Sequence, residues 1–202
     1  RGRDEYQIPG WLSELKNIRI NRATEQDWGP IMKLLPLLPM ETARETILLT
    51  IDDDVILPPA AVASFVEASV AHPDTAFCSM GFRFEARTGH ILPIRGQLSP
   101  CDALQGFSVC CYRRAHFDEK ALISSIETLP EEFRINDDII LSNHVAANGI
   151  KRSTILFPSG SLKFTDWSDN DPAALKSVGP GTHARYRQMR EHLQREGRWH
   201  LG

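Results

Sequence analysis

Three consecutive carboxylates, Asp52-Asp53-Asp54, close an unbroken apolar and β-favouring run, Thr46 to Ile51. Neighbouring carboxylates repel one another, and a cation offsets that repulsion. Asp52 and Asp54 stand two positions apart, so both project to one side if the extended backbone continues past the run. Carboxylate oxygens suit hard ions such as Mg²⁺ or Mn²⁺, which also bridge a diphosphate. The plainer alternative is a solvated acidic turn between strand and helix.

Other residues offer chemistry with less force. Lys33 can supply positive charge to a phosphate or a base, or can be solvated on an amphipathic helix. Trp28, beside Gly29-Pro30, lines a pocket or packs at a loop. Asn136-Asp137-Asp138 is what a helix N-terminus favours, because carboxylates complement its dipole. The arginines at 185, 187 and 190 read as a solvated helix face. The stretch from Asp166 to Asp171 lacks the glycine and final glutamate of a calcium loop and reads as a mobile loop.

These residues need elements to hold them. Ile18 to Ile20 is a short strand candidate. Pro30 opens a helix carrying Ile31, Leu34, Leu35 and Leu38, which Pro36 weakens or ends. Thr46 to Ile51 has the character of a strand covered on both faces. Pro58-Pro59 precedes a helix with Val62, Phe65, Val66 and Val70 as its apolar stripe, ended by His72-Pro73. Thr75 to Phe84, Phe107 to Tyr112 and Ser153 to Phe157 are further strands. Asn136 caps a helix bearing Ile139, Ile140 and Val145 and closing near Gly149, and Thr182 caps a last helix with Tyr186, Met189 and Leu193. Strands alternating with helices predict an α/β layered fold with a mostly parallel central sheet. Ligands in such sheets sit at the carboxyl ends of strands, where the triplet lies.

Four segments in order resemble the GT-A glycosyltransferases, including family-two-like and exostosin-like enzymes. They are Asp27-Trp28-Gly29-Pro30 through Pro36, the triplet segment Thr46 through Pro58, Leu104-Gln105-Gly106-Phe107-Ser108-Val109, and Arg134 through Val145. The resemblance implies a GT-A fold and a metal-dependent transfer from a nucleotide-sugar donor, UDP-sugars favoured, to a glycan or other hydroxyl acceptor, of the kind used in polysaccharide biosynthesis. It implies that Asp52 and Asp54 serve the metal and the nucleotide, and that Asp53 lies close to the sugar or ribose. Trp28, Gly29 and Lys33 would flank the donor, and Gly106 would belong to an acceptor-side loop. Asp137 or Asp138, with Asp138 preferred, would lie by the acceptor hydroxyl, and His183 resembles a late metal ligand. Only about 50 residues precede the triplet. The expectation is therefore a single domain over residues 1–202 that lacks the opening strand-helix unit of the family. A nucleotidyltransferase of nucleotide-sugar synthesis would need a glycine-rich phosphate loop that the sequence does not show. A degenerate, non-catalytic carbohydrate-binding domain is the remaining alternative.

Composition agrees with a globular chain. Of its 202 residues 42% are hydrophobic and 24% charged, and the net charge is −3. That charge gives no footprint for a nucleic-acid backbone. No apolar run reaches the roughly 20 residues that span a bilayer. The four cysteines include no C-x-x-C pair. They read as reduced, buried thiols of a cytoplasmic protein, with Cys110 and Cys111 facing opposite sides of a strand.

Overall fold

A computed structural model describes residues 8–21, 26–157, 162–164 and 181–202. Its core is a five-stranded sheet between two unequal helical layers. The described residues begin with a short helix, α1 (Gly10–Ser13), and two 3₁₀ turns, Gly29–Lys33 and Leu35–Leu37. It continues through β1 (Ile47–Ile51), β2 (Val55–Ile56), α2 (Ala61–Ala71), β3 (Thr75–Cys78), β4 (Gly81–Phe84), β5 (Ile91–Ile94), β6 (Ser99–Pro100), β7 (Ala103–Leu104) and β8 (Val109–Arg113). Helices α3 (Glu119–Glu127) and α4 (Asp137–Ala147) follow, then β9 (Lys151–Thr154), β10 (Lys163–Phe164) and α5 (Thr182–Arg195).

The main sheet has the order β1-β8-β3-β9-β6. Only β3 and β9 pair in parallel; β1–β8, β3–β8 and β6–β9 are antiparallel. The sheet is thus mixed rather than mostly parallel. An apolar run shows that a strand is covered but carries no sign of its direction, so the sequence could not reveal this. Two smaller sheets, β5-β4-β7 and β10-β2, complete the strands among the described residues.

Strand β1 ends the main sheet and alternates in burial. Leu48 and Thr50 are buried, Ile47 and Leu49 are half-covered, and Ile51 is exposed. Strand β8, its inner neighbour, is buried from Val109 to Tyr112. Successive side chains on a strand face opposite ways. Cys110 accordingly joins the larger core, with Leu34, Ile139 and Met189, while Cys111 joins the smaller one, with Phe65, Phe77 and Ile155. Helix α2 covers the smaller side, where burying Phe65 contributes about 2–3 kcal/mol. The 3₁₀ turns, α4 and α5 cover the larger side.

Several expected elements take another form. Residues 18–20 form no strand. The helix expected after Pro30 is two 3₁₀ turns meeting at Leu34, since Pro36 lacks the N–H that would continue an α-helix. The span from Thr75 to Phe84 breaks into β3 and β4, which lie in different sheets. The buried stripe of α2 is Ala61, Phe65 and Ser69, while Val62, Val66 and Val70 face outward. The strand expected over residues 153–157 instead covers Lys151–Thr154. Thr182 is the first residue of α5 rather than its cap. Asn136 does precede α4, but its side chain makes no cap and donates instead from Nδ2 to Met189 Sδ at 3.6 Å. Gly149 closes α4 as expected, with φ of 76° that favours glycine. The expected mobile loop, residues 166–171, lies outside the described residues. No helix among the described residues is long and apolar enough to cross a membrane.

Candidate functional site

Four segments far apart in sequence meet where β1 ends. Ile31 and Leu34, both fully buried, anchor the first 3₁₀ turn and thereby aim Lys33 across the sheet edge. Asp52 follows β1 directly. Gly106 lies in the turn between β7 and β8, and the Leu104 N–H donates to Ser142 Oγ at 2.9 Å, tying that turn to α4. Asp137 and Asp138 are the first two residues of α4.

Lys33 is the hub. Its Nζ donates to Asp52 Oδ1 at 2.7 Å and to the Gly106 carbonyl at 3.0 Å. It also lies 3.2 Å from Asp137 Oδ2, close enough for an ion pair although not aligned for a hydrogen bond. Burial is the largest single influence on Lys33 and lowers its pKa, but the two aspartates together outweigh it and leave the pKa raised. The ammonium therefore stays charged. The solvated alternative for Lys33 is not what the fold adopts, since its side chain is only 18% exposed.

Asp138 is held differently. Its Oδ1 accepts the Gly106 N–H at 2.6 Å, and its Oδ2 accepts the Tyr186 hydroxyl. Burial, followed by the nearby charge of Asp137, pushes its carboxyl up to about 7, against the opposing effect of Tyr186, Gly106 and Lys33. Asp52 is also raised, by burial first, with Lys33 pulling the other way. The two carboxylates that start α4 thus face different partners: Asp137 meets Lys33, and Asp138 meets Gly106 and Tyr186.

Gly106 is fixed by crowding. A Cβ there would come within 3.0 Å of Asp138 Oδ1, 3.3 Å of Asp137 Oδ2 and 3.4 Å of Lys33 Nζ. Only a residue without a side chain lets the backbone approach both carboxylates so closely.

The remaining expected residues are less tightly gathered. The backbone does not stay extended through the triplet: the Val55 N–H donates to the Asp52 carbonyl, and residues 53–54 form a turn into β2. Asp53 is exposed and Asp54 half-buried. Trp28 packs in the core with the Arg134 guanidinium 5.5 Å over its ring. Gly29 takes φ of 77° beneath the Arg134 carbonyl, and its N–H donates to Asp27 Oδ1. His183 is exposed on the first turn of α5. Among the described residues no group of three His, Cys, Asp or Glu side chains is arranged to hold a metal ion. The structure therefore does not bring His183 to Asp52 and Asp54 as a three-ligand set. Carboxylate oxygens suit a hard ion, but Asp52 Oδ1 is already paired with the Lys33 ammonium.

Tyr186 belongs to this site although its sequence position marks it only as one of the apolar residues of a helix. Its spacing with Met189 and Leu193 accounts for the ring and says nothing of the hydroxyl. Compared with known proteins, the chain matches no family model and no curated sequence at a significant level.

Proposed function

We propose that the chain is a glycosyltransferase that moves a sugar from a nucleotide-diphosphate donor to an acceptor hydroxyl. The observation that carries this reading is the convergence of Lys33, Asp52, Gly106, Asp137 and Asp138 on one cluster. These residues come from the four segments whose order along the chain resembles GT-A enzymes, and a shared packing core alone does not require them to meet through their polar atoms.

The roles follow from the chemistry of each group. Asp138, with its carboxyl pushed up to about 7, is suited to act as general base near neutral pH. Each of its oxygens accepts one hydrogen bond, and a carboxylate has further lone pairs with which to take the proton of an acceptor hydroxyl. Lys33 pairs with Asp137 and Asp52 and presents positive charge beside the place a diphosphate would occupy. Asp52 and Asp54 would hold Mn²⁺ or Mg²⁺ together with the donor phosphates. When bound, that ion would neutralise charge on the leaving diphosphate. The donor class is a UDP-sugar, the acceptor a glycan hydroxyl, and the compartment the cytoplasm.

A panel of UDP-, GDP- and dTDP-sugars, assayed for transfer and for donor hydrolysis with and without Mn²⁺, tests the proposal. Turnover of one donor class, lost in Asp138→Asn, is expected. No turnover of any donor would overturn it. The metal is tested separately with Asp54→Asn. The variant should keep its thermal stability without metal and lose the stabilisation that Mn²⁺ with UDP gives the parent protein. An unchanged titration would remove Asp54 from the site.

A further inference from the structure

We infer that Tyr186 is a positioning residue of the proposed transfer, holding through its hydroxyl the Asp138 oxygen that Gly106 does not reach. The inference rests on the glycosyltransferase reading for its catalytic meaning, but its geometry stands apart from it.

Two contacts dock α5 onto the first turn of α4. The Tyr186 ring stacks on Phe82, with centroids 5.2 Å apart and planes 16° from parallel, and its hydroxyl reaches Asp138 Oδ2. Three residues further along α5, Met189 Sδ accepts from Asn136 Nδ2. Tyr186 is 6% exposed, so neither end of its side chain answers to solvent. Burial, followed by the charge of Asp138, raises the phenol well above its ordinary pKa. It therefore remains a hydrogen-bond donor to the ionised carboxylate.

The charged groups around Asp138 show what the hydroxyl does. Asp137 on α4 repels the carboxylate, and Lys33 on the first 3₁₀ turn attracts it. The buried Cys110 thiol faces it from β8, and Tyr186 faces it from α5. A hydrogen bond to the charged form favours that form. The Tyr186 hydroxyl therefore keeps Asp138 ionised to lower pH than burial beside Asp137 would otherwise permit. It also fixes the plane of the carboxylate, and with it the direction of the lone pairs left for an acceptor. Helix α5 completes the site through one oxygen atom.

Tyr186→Phe removes that oxygen and retains the ring on Phe82. With aspartate labelled at ¹³Cγ and the Asp138 signal assigned by its loss in Asp138→Asn, the carboxyl midpoint is read directly by NMR in the intact chain. The midpoint should rise by about one pH unit in Tyr186→Phe, the scale of one charge-assisted hydrogen bond. In transfer assays kcat at pH 7 should fall about fivefold, the acidic limb of the pH profile should move up with the NMR midpoint, and the donor KM should hold. Tyr186→Leu, which also loses the stacked ring, should lower thermal stability further without moving the midpoint beyond that of the phenylalanine variant. An unchanged midpoint in Tyr186→Phe overturns the inference, whether or not the parent protein transfers sugar. A raised midpoint in a protein that transfers no sugar overturns the glycosyltransferase reading and leaves the Tyr186–Asp138 coupling in place.

Discussion

Replacing Lys33 by methionine keeps the length and apolar character of the stem and removes only the ammonium. That charge lies 2.7 Å from Asp52 Oδ1, 3.2 Å from Asp137 Oδ2 and 3.0 Å from the Gly106 carbonyl. Removing one member of a buried ion pair costs about 3–5 kcal/mol, because the partner is left charged and unpaired. Asp137, with its side chain 12% exposed, should bear nearly that full cost, whereas Asp52, at 32%, can recover part of its hydration. A loss of about 2–4 kcal/mol at pH 8 is expected, a large share of the ordinary stability of a domain. The loss should shrink toward pH 5. Without Lys33 the carboxyl of Asp52, already raised by burial, rises further, and protonating it removes part of the uncompensated charge. Urea unfolding at the two pH values, followed by far-UV circular dichroism, measures both effects. Asp137→Asn in the Lys33→Met background should restore about 1–2 kcal/mol at pH 8, since it removes one stranded charge. If Lys33→Met unfolded within about 0.5 kcal/mol of the parent at pH 8, the cluster would not be held by its lysine, and the electrostatic argument would fail.

Two further outcomes follow from the same cluster. Because the folded pKa of Asp138 is raised to about 7 from an ordinary 3.8, the folded chain binds this proton more tightly than the unfolded one. Its stabilising contribution is complete below about 4 and is lost as pH rises through about 7. Asp138→Asn, whose amide can still meet Gly106 and Tyr186, should thus unfold at least as late as the parent at pH 8 and lose that advantage by pH 5, as thermal scans would show; the opposite trend would contradict the assigned direction. Gly106→Ala drives a Cβ into both carboxylates and should cost about 1–3 kcal/mol. Under the proposed function, the variant's affinity for UDP with Mn²⁺, measured by calorimetry, should weaken as well, and parent-like values in both would show that the loop has room the structure does not give it.

What was legible in the sequence follows from which physics each residue obeys. The run from Thr46 to Ile51 reads as a strand because its leucines and β-branched isoleucines and threonines suit a pleated, covered surface, and β1 stands at Ile47–Ile51. Its antiparallel pairing with β8 was hidden, since pairing direction depends on chain path rather than on side chains. On α2 the helical period was correct but the phase was one residue off. Small Ala61 and Ser69 let the helix approach the sheet around Phe65, and a reading that counts large apolar residues places the valines inward instead. Asp52, Asp137, Asp138 and Gly106 were found through their segments. The role of Lys33 is ambiguous in the sequence because a lysine on a polar face and a lysine in an ion-pair cluster look alike until the carboxylates are located. Tyr186 gave no signal, because one part of its side chain satisfied the helix and the other served the site.

The adjacent thiols of β8 provide the fold with two internal clocks. Cys110 and Cys111 are one residue apart, yet each is sealed in a different core, and burial pushes both pKa values up, that of Cys111 to about 12. Neither sulfur can react as a thiolate until its own layer lifts from the sheet. The rate at which a reagent captures Cys111 times the departure of α2, and the rate at Cys110 times the parting of the layer that carries Lys33, α4 and Tyr186. Under the proposed function, a donor that tightens the cluster should slow the second clock and leave the first running at its own pace.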